Sequence, residues 1–170
     1  MIPRRRGTNP STEVVDEGSI QKHLFHWLRQ KGHEYICPNS GVFGWEADLV
    51  SVTGAGFAHE YEVKISRSDF RTDAKKLKHQ RLLKADRYKK DPTSVQFWYV
   101  VPAGLVSVDE VPQHAGLLEI RRGYIKLIKN APRLHSYKAT EIQLRYLARG
   151  LMCRFWNPRR DRDGERNCNR

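Results

Sequence analysis

The sequence predicts a mixed α/β (α+β) fold in which a central mixed β-sheet is flanked by helices. Three observations lead to it. Apolar residues recur at helical spacing near both ends of the chain. The run VQFWYVVP at residues 95–102 is typical of a strand covered on both faces. The patterns follow the order helix, β-meander, helix, strand, β-hairpin, helix, which suits helices packed on one sheet.

The first helix is predicted from about Thr12 to Lys31, after the start signal PST at residues 10–12 and before Gly32. Its apolar residues at helical spacing are Ile20, Leu24, Trp27 and Leu28. A short strand, EYICP, follows at residues 34–38. Two further strands are predicted within EADLVSVTGAGFAHEYEVKI, joined at the GAG of residues 54–56.

A second helix is predicted over residues 66–86, with Ser66 and Asp69 as a capping box at its start. The apolar strand then ends at Pro102. GLLEI and YIKLIK form a predicted hairpin around Arg122-Gly123, and a last helix runs from about Thr140 to Met152.

The chain of 170 residues is predicted to contain one folded domain at residues 11–156, with a flexible basic arm at 1–10 and a disordered charged tail at 157–170. The N-terminal stretch has no apolar core of the kind that signal peptides contain, and no run has the length of a membrane span. Cys37, Cys153 and Cys168 are odd in number and widely spaced, which favours reduced thiols. We therefore expect a cytoplasmic protein, in a bacterial or phage-infected cell, with no membrane partner.

Basic residues outnumber acidic residues in the chain. Lysine and arginine total 31 against 19 acidic residues, a formal net charge of +12. Such a surface attracts phosphates at long range, so the charge favours a nucleic acid as partner.

Two adjacent predicted strands carry charge where apolar residues are expected. Alternation places Glu60, Glu62 and Lys64 on one face of their strand. A hairpin centred on Ala55 sets Asp48 opposite Glu62, and two carboxylates about 5 Å apart cost about 3 kcal/mol at an effective dielectric near 20. A divalent cation would offset that cost.

In an alternative interpretation, this face of the hairpin is exposed to solvent. In it, Glu46 pairs with Lys64 across the strands and Glu60 is simply solvated. A bulge or a one-residue slip would also move one strand's charges to the other face. The strand pattern alone leaves both interpretations open.

Asp48, a short hairpin and then Glu62-Val63-Lys64 resemble the D…(D/E)-x-K core of the PD-(D/E)XK nuclease superfamily, which includes restriction enzymes, Holliday-junction resolvases and many phage nucleases. WEADLVSVTGAGFAHEYEVKISRSDFRTDAKKLKH, VPAGLVSVDEVPQHAGLLEI and APRLH resemble small phage and bacterial members, so the likeness covers about residues 12–137. It implies a restriction-endonuclease-like core. The sequence departs from the pattern at Ala47, where the family name implies proline.

The resemblance implies Mg²⁺ or Mn²⁺ as cofactor, with Asp48 and Glu62 as metal ligands and the Val63 carbonyl as a candidate third. Lys64 would orient or deprotonate the attacking water, or stabilise charge developing on the phosphate. Many members add a glutamate from the first helix. Glu17 lies three residues before Ile20 and seven before Leu24, so it is predicted on the apolar face of the first helix and fits that position. A partly buried edge position is the ordinary interpretation of such a carboxylate, and Glu13, one turn earlier, is the alternative metal-site residue. For Glu46 a ligand, a Lys64 partner and a substrate contact all stay open.

The predicted helix after the core carries a run of basic residues. A solvated helix face is the ordinary interpretation of such a run. Next to a metal site it also suits a clamp for the DNA backbone, and the resemblance allows Gln80 to approach the site. The candidate nucleic-acid-binding residues are Lys75, Lys76, Lys78, His79, Gln80 and Arg81.

These observations lead to a metal-dependent nuclease that hydrolyses phosphodiester bonds in DNA with weak sequence specificity. The first alternative is an inactive nucleic-acid-binding module of the same fold within a phage or DNA-repair assembly. The second is a protein–protein adaptor whose charge confers solubility only. The sequence does not distinguish single-stranded, duplex and branched substrates, and it does not give the oligomeric state.

Overall fold

Residues 16–157 are described in a computed structural model, and in this part of the chain six strands form one sheet in the order β1 to β6. The strands are β1 (His33–Ser40), β2 (Ala47–Thr53), β3 (Ala58–Val63), β4 (Gln96–Pro102), β5 (Ala115–Arg121) and β6 (Tyr124–Lys129). The pairs β1–β2, β2–β3 and β5–β6 are antiparallel, whereas β3–β4 and β4–β5 are parallel. The predicted mixed sheet with flanking helices is confirmed. The predicted arm at residues 1–10 and the tail after Asn157 lie outside the described residues.

Helices cover both faces of this sheet. On one face, helix α1 (Glu17–Gln30) packs its apolar residues against Tyr61 and Val63 of β3 and Trp98 of β4. On the other face lie helices α2 (Arg67–Asp73), α3 (Lys78–Leu83) and α4 (Glu141–Trp156). β4 is buried between the two layers, as its apolar run predicts. Glu60 and Glu62 alternate with Tyr61 and Val63, so they point toward α2 and α3.

The first helix begins later than predicted. The backbone of Asp16 is extended, at φ −93° and ψ 165°, and its side chain accepts a hydrogen bond of 2.7 Å from the Ser19 amide. Asp16 is therefore the N-cap, and the predicted start near Thr12 is wrong.

The second helix was predicted as one continuous segment over residues 66–86, which is also wrong. Ser66 does cap α2, by accepting a hydrogen bond from the Asp69 amide. After Asp73 the amides of Lys75 and Lys76 bond three residues back, in a tight turn before α3. A short 3₁₀ helix then covers Ala85–Arg87. The break turns Lys78 inward.

The C-terminal elements follow the sequence pattern more closely. Arg122 and Gly123 connect β5 to β6 with φ of 48° and 78°, the left-handed pair that a tight hairpin requires. Thr140 and Gln143 form a capping box at the start of α4, which extends to Trp156, beyond the predicted end at Met152. No helix within residues 16–157 is both long enough and apolar enough to cross a membrane.

Candidate functional site

The hairpin of β2 and β3 has the register that the sequence predicts. Leu49 pairs with Tyr61 and Val50 pairs with Glu60. Continuing this register sets Asp48 opposite Glu62, at the end of the hairpin away from its turn. The pairing of strand ends therefore brings the two predicted metal ligands to one place.

Lys64 joins these two carboxylates. Its Nζ donates a hydrogen bond of 2.9 Å to Glu62 Oε2 and lies 3.5 Å from Asp48 Oδ2. The amide of Val63 donates a 2.7 Å hydrogen bond to the same Asp48 oxygen, which fixes this carboxylate. The side chains of Glu62 and Lys64 are almost fully buried, whereas that of Asp48 is 21% exposed. Asp48 therefore lies at the solvent side of the triplet.

The water-exposed interpretation of this hairpin face is wrong. Glu60 is fully buried, and its carboxylate accepts hydrogen bonds from Trp45 Nε1 at 2.8 Å and from the Ser94 hydroxyl at 3.4 Å. Lys64 forms its shortest ion pair with the buried Glu62, at 2.9 Å, and Glu46 lies exposed. The charges are inside the protein because α2 and α3 cover them.

Lys78 also belongs to the buried charges, although the sequence predicts it on the surface. Its Nζ lies 2.6 Å from Glu62 Oε1, 3.4 Å from Asp73 Oδ1 and 3.9 Å from Glu60 Oε1. A signal for this position was present, because Lys78 lies four residues before the buried Leu82 and so shares its helix face.

Asp73 is the second residue of the site that was not predicted from the sequence. Oδ1 of this fully buried carboxylate has three lysines around it, at 2.7 Å (Lys76), 3.4 Å (Lys78) and 3.9 Å (Lys64). Oδ2 accepts a 3.0 Å hydrogen bond from the Tyr99 hydroxyl. Burial alone would raise the pKa of Asp73, but hydrogen bonding and the lysines hold it well below its usual range. The helical spacing of Asp73 from Phe70 could have indicated its inward direction.

Burial and neighbouring charges together shift the pKa values of this cluster. Burial, followed by repulsion from Glu62, raises the pKa of Asp48 to about 6. Burial also raises the pKa of Glu60 to about 7, although Lys78 opposes the change. Burial lowers the pKa of Lys64, but Glu62 and Asp48 outweigh it and raise the pKa above its ordinary value. Such a site favours an added cation.

The basic residues predicted as a DNA clamp on the second helix are divided between the interior and the surface. Lys78 and His79 are buried, so they offer no surface to DNA, because both turn toward Asp73 and the acidic strand. Arg81 is half-buried and pairs with Asp91 at 2.7 Å. The exposed members of the predicted set are Lys75, Lys76 and Gln80. Gln80 thus lies outside the buried charged cluster, and Lys76 joins that cluster to the surface.

Glu17 lies at the edge of the site. It is the first residue of α1 and is exposed, not on the buried apolar stripe as predicted. Gln21 Nε2 is 3.3 Å from Glu17 Oε1 and donates a 2.8 Å hydrogen bond to the Asp48 carbonyl. The charge of Glu17 contributes to the raised pKa of Asp48. The alternative residue, Glu13, lies outside the described residues.

The two carboxylates Asp48 and Glu62 suit a divalent cation that takes only a few of its ligands from the protein. Within residues 16–157, no three His, Cys, Asp or Glu side chains are grouped so that they could hold a metal ion together. Mg²⁺, however, is commonly bound by one or two carboxylates, with waters and substrate phosphate oxygens completing the coordination. Burial is the main cause of the raised pKa of Asp48, and repulsion from Glu62 and Glu17 adds to it; a cation would relieve that repulsion. Asp48 and Glu62 therefore fit Mg²⁺ or Mn²⁺.

Comparison with known proteins indicates the fold alone. No family model matches the chain, and no curated protein matches it. A solved structure described as "SPO1766 protein of unknown function from Silicibacter pomeroyi" is similar, with a TM-score of 0.65 and 18% sequence identity. The alignment covers 92% of this chain and 99% of that chain. The chain thus shares its architecture, over nearly the whole length, with a protein whose described function is unknown.

Proposed function

We propose that the protein is a metal-dependent nuclease that hydrolyses phosphodiester bonds in DNA with weak sequence specificity. The observation that carries the proposal is the convergence of Asp48, Glu62 and Lys64 at the end of one hairpin. These three residues carry the resemblance to the PD-(D/E)XK superfamily. The convergence of all three, with Asp48 at the solvent side, supports a chemical role.

In this proposal Asp48 and Glu62 hold Mg²⁺ or Mn²⁺, and the Val63 carbonyl is a further candidate ligand. The bound ion would supply a Lewis acid and a water of lowered pKa. The Val63 amide keeps Asp48 in place by its hydrogen bond. The ammonium group of Lys64, 3.5 Å from Asp48 Oδ2, would orient the attacking water or stabilise the charge that develops on the phosphate.

DNA is the proposed partner because of the charge of the chain and of the surface beside the site. Lys75 and Lys76 are exposed at the turn between α2 and α3, and Lys76 is bound to Asp73 of the buried cluster. Phosphate contacts carry no sequence information, so binding is expected to be weakly specific and to fall steeply with salt. Free Cys37 and Cys153 agree with the proposed cytoplasmic location.

A second candidate is an inactive nucleic-acid-binding module of the same fold, with proteins of a phage or DNA-repair system as further partners. One observation favours it. Both oxygens of Glu62 are already within 3 Å of lysine ammonium groups, Lys64 at 2.9 Å and Lys78 at 2.6 Å. In this candidate the buried charges hold the fold together and perform no reaction.

Cleavage of a labelled panel separates the two candidates. The panel contains plasmid, linear duplex, single-stranded and branched DNA, incubated with Mg²⁺ or Mn²⁺, with an EDTA control. A nuclease cuts at least one substrate, and Asp48→Ala abolishes cutting while leaving DNA binding within about twofold. Binding by the wild-type protein without cutting, in either metal, would instead favour the inactive module.

A further inference from the structure

Lys78 is a buried lysine to which the D…(D/E)-x-K resemblance assigns no role. It is the first residue of α3, and its side chain is 5% exposed. Lysine is almost never buried unless it is paired, because its desolvation is costly. Its closest carboxylate oxygen is Glu62 Oε1, at 2.6 Å.

The two lysines of the site approach Glu62 from different sides. Lys64 contacts Glu62 Oε2 and lies 3.5 Å from Asp48 Oδ2, so it is shared by the two proposed metal ligands, and it also lies 3.9 Å from Asp73 Oδ1. Lys78 contacts the other oxygen, Oε1, and its remaining carboxylate neighbours are Asp73 and Glu60. Lys78 thus stands behind Glu62 rather than between the two proposed ligands.

Several groups hold Lys78 in that position. Its Nζ lies 5.2 Å from the centre of the Phe97 ring and 3.4 Å from Asp73 Oδ1. Asp73 is in turn held by the Tyr99 hydroxyl and by His79 Nε2, at 3.0 and 3.3 Å. The Lys78–Glu62 contact joins a buried ammonium group to a buried carboxylate at 2.6 Å, so the attraction between opposite charges holds Glu62 against Lys78. The ammonium group of Lys78 is therefore held in one position, where it contacts the Glu62 carboxylate.

We propose that Lys78 is a positioning residue that holds Glu62 in the orientation needed to bind the divalent cation. The inference rests on the proposed function, since it requires Glu62 to be a metal ligand. Lys78 touches neither metal nor substrate in this account. Groups that orient metal ligands in this way typically change metal affinity or activity 10- to 100-fold when they are removed.

The test is Mn²⁺ binding to the full chain without DNA, measured from the free-ion signal in electron paramagnetic resonance. Lys78→Met keeps the length and removes the charge, and we expect its Mn²⁺ dissociation constant to rise about 10- to 100-fold. Lys126→Met removes an exposed lysine of β6 as the matched control and should leave the constant within about twofold. DNA affinity at fixed salt should not change in Lys78→Met, because the residue is buried, while its cleavage rate falls.

Equal or tighter Mn²⁺ binding by Lys78→Met would overturn the positioning role, and tighter binding would identify Lys78 as a competitor of the ion. If Lys78→Met does not fold, Glu60→Gln/Lys78→Met removes one buried charge of each sign and is compared with Glu60→Gln. The same rise in the dissociation constant is expected, and its absence would overturn the proposal. If the wild-type protein binds no Mn²⁺, or binds it equally after Asp48→Ala, the proposed metal site fails as well.

Discussion

Glu60 gives a quantitative test of the buried charges, by the substitution Glu60→Gln. Burial raises the pKa of this carboxyl from an ordinary value of 4.5 to about 7, with repulsion from Glu62 adding to the rise against the attraction of Lys78. Because the pKa in the folded protein lies above that in the unfolded chain, folding favours the protonated form. The stability that Glu60 contributes is therefore complete below about pH 4.5 and is lost as the pH rises to about 7. Glutamine does not titrate, so the variant lacks this loss.

The magnitude follows from the two pKa values. At about 1.4 kcal/mol for each tenfold change in proton affinity, the difference between 4.5 and about 7 corresponds to about 3 kcal/mol. We expect the free energy of unfolding of Glu60→Gln, relative to wild type, to rise by about 3 kcal/mol between pH 4.5 and pH 8. Asp48 also titrates in this window, but it is present in both proteins and largely cancels in the difference.

The assay is urea unfolding at intervals from pH 4.5 to pH 8, in EDTA so that no divalent ion binds. Glu34→Gln is the control, because Glu34 is exposed on β1, and its difference from wild type should stay within about 0.5 kcal/mol. A Glu60→Gln difference that is flat across the window, or that falls as the pH rises, would refute the view that Glu60 is a buried and poorly compensated carboxyl.

Further predictions concern packing and DNA binding. Gly116→Ala should destabilise the protein by about 3 kcal/mol or more in urea unfolding, because its Cβ would lie 2.3 Å from Trp98 Cε3 and 2.7 Å from the Ala131 nitrogen. Gly18→Ala is the control: its Cβ would lie 3.4 Å from the Asp16 carboxylate, and it should cost less than about 0.5 kcal/mol. Equal losses of stability in the two variants would contradict the tight packing around Gly116. Lys76→Glu should weaken DNA binding and reduce the steepness of its salt dependence by about one phosphate contact in a fluorescence anisotropy titration, whereas Lys126→Glu should have little effect. Identical salt slopes for the two variants would remove Lys76 from the DNA-binding surface.

The strand pairing of the site could be predicted from the sequence because it depends on local rules. Alternation fixes which side chains share a face, and the GAG turn at residues 54–56 fixes the register. Together they set Asp48 opposite Glu62, as the structure confirms in the pairs Leu49–Tyr61 and Val50–Glu60. The hairpin of β5 and β6 was predictable for the same reason.

The inward helix residues were only weakly indicated by local rules. Helical spacing from Leu82 favours an inward Lys78, but a run of lysines usually faces water, and the buried carboxylates that pair with Lys78 include Glu62 of β3, which is distant from it in sequence. The break between α2 and α3 comes from the tight turn after Asp73, which sets the face of α3 on which Lys78 lies. The start of α1 was misplaced because Asp16 caps it, although Thr12 has an equally suitable side chain.

A single-turnover measurement of DNA cleavage with Mg²⁺ or Mn²⁺, comparing wild type, Lys64→Ala and Lys126→Ala, tests the proposed reaction site most sharply. We expect metal-dependent cleavage by wild type and Lys126→Ala, and a loss of at least about 100-fold in Lys64→Ala with DNA binding retained. Cleavage that survives Lys64→Ala, or cleavage that proceeds equally in EDTA, would contradict the assignment of Asp48, Glu62 and Lys64 as the site of the reaction.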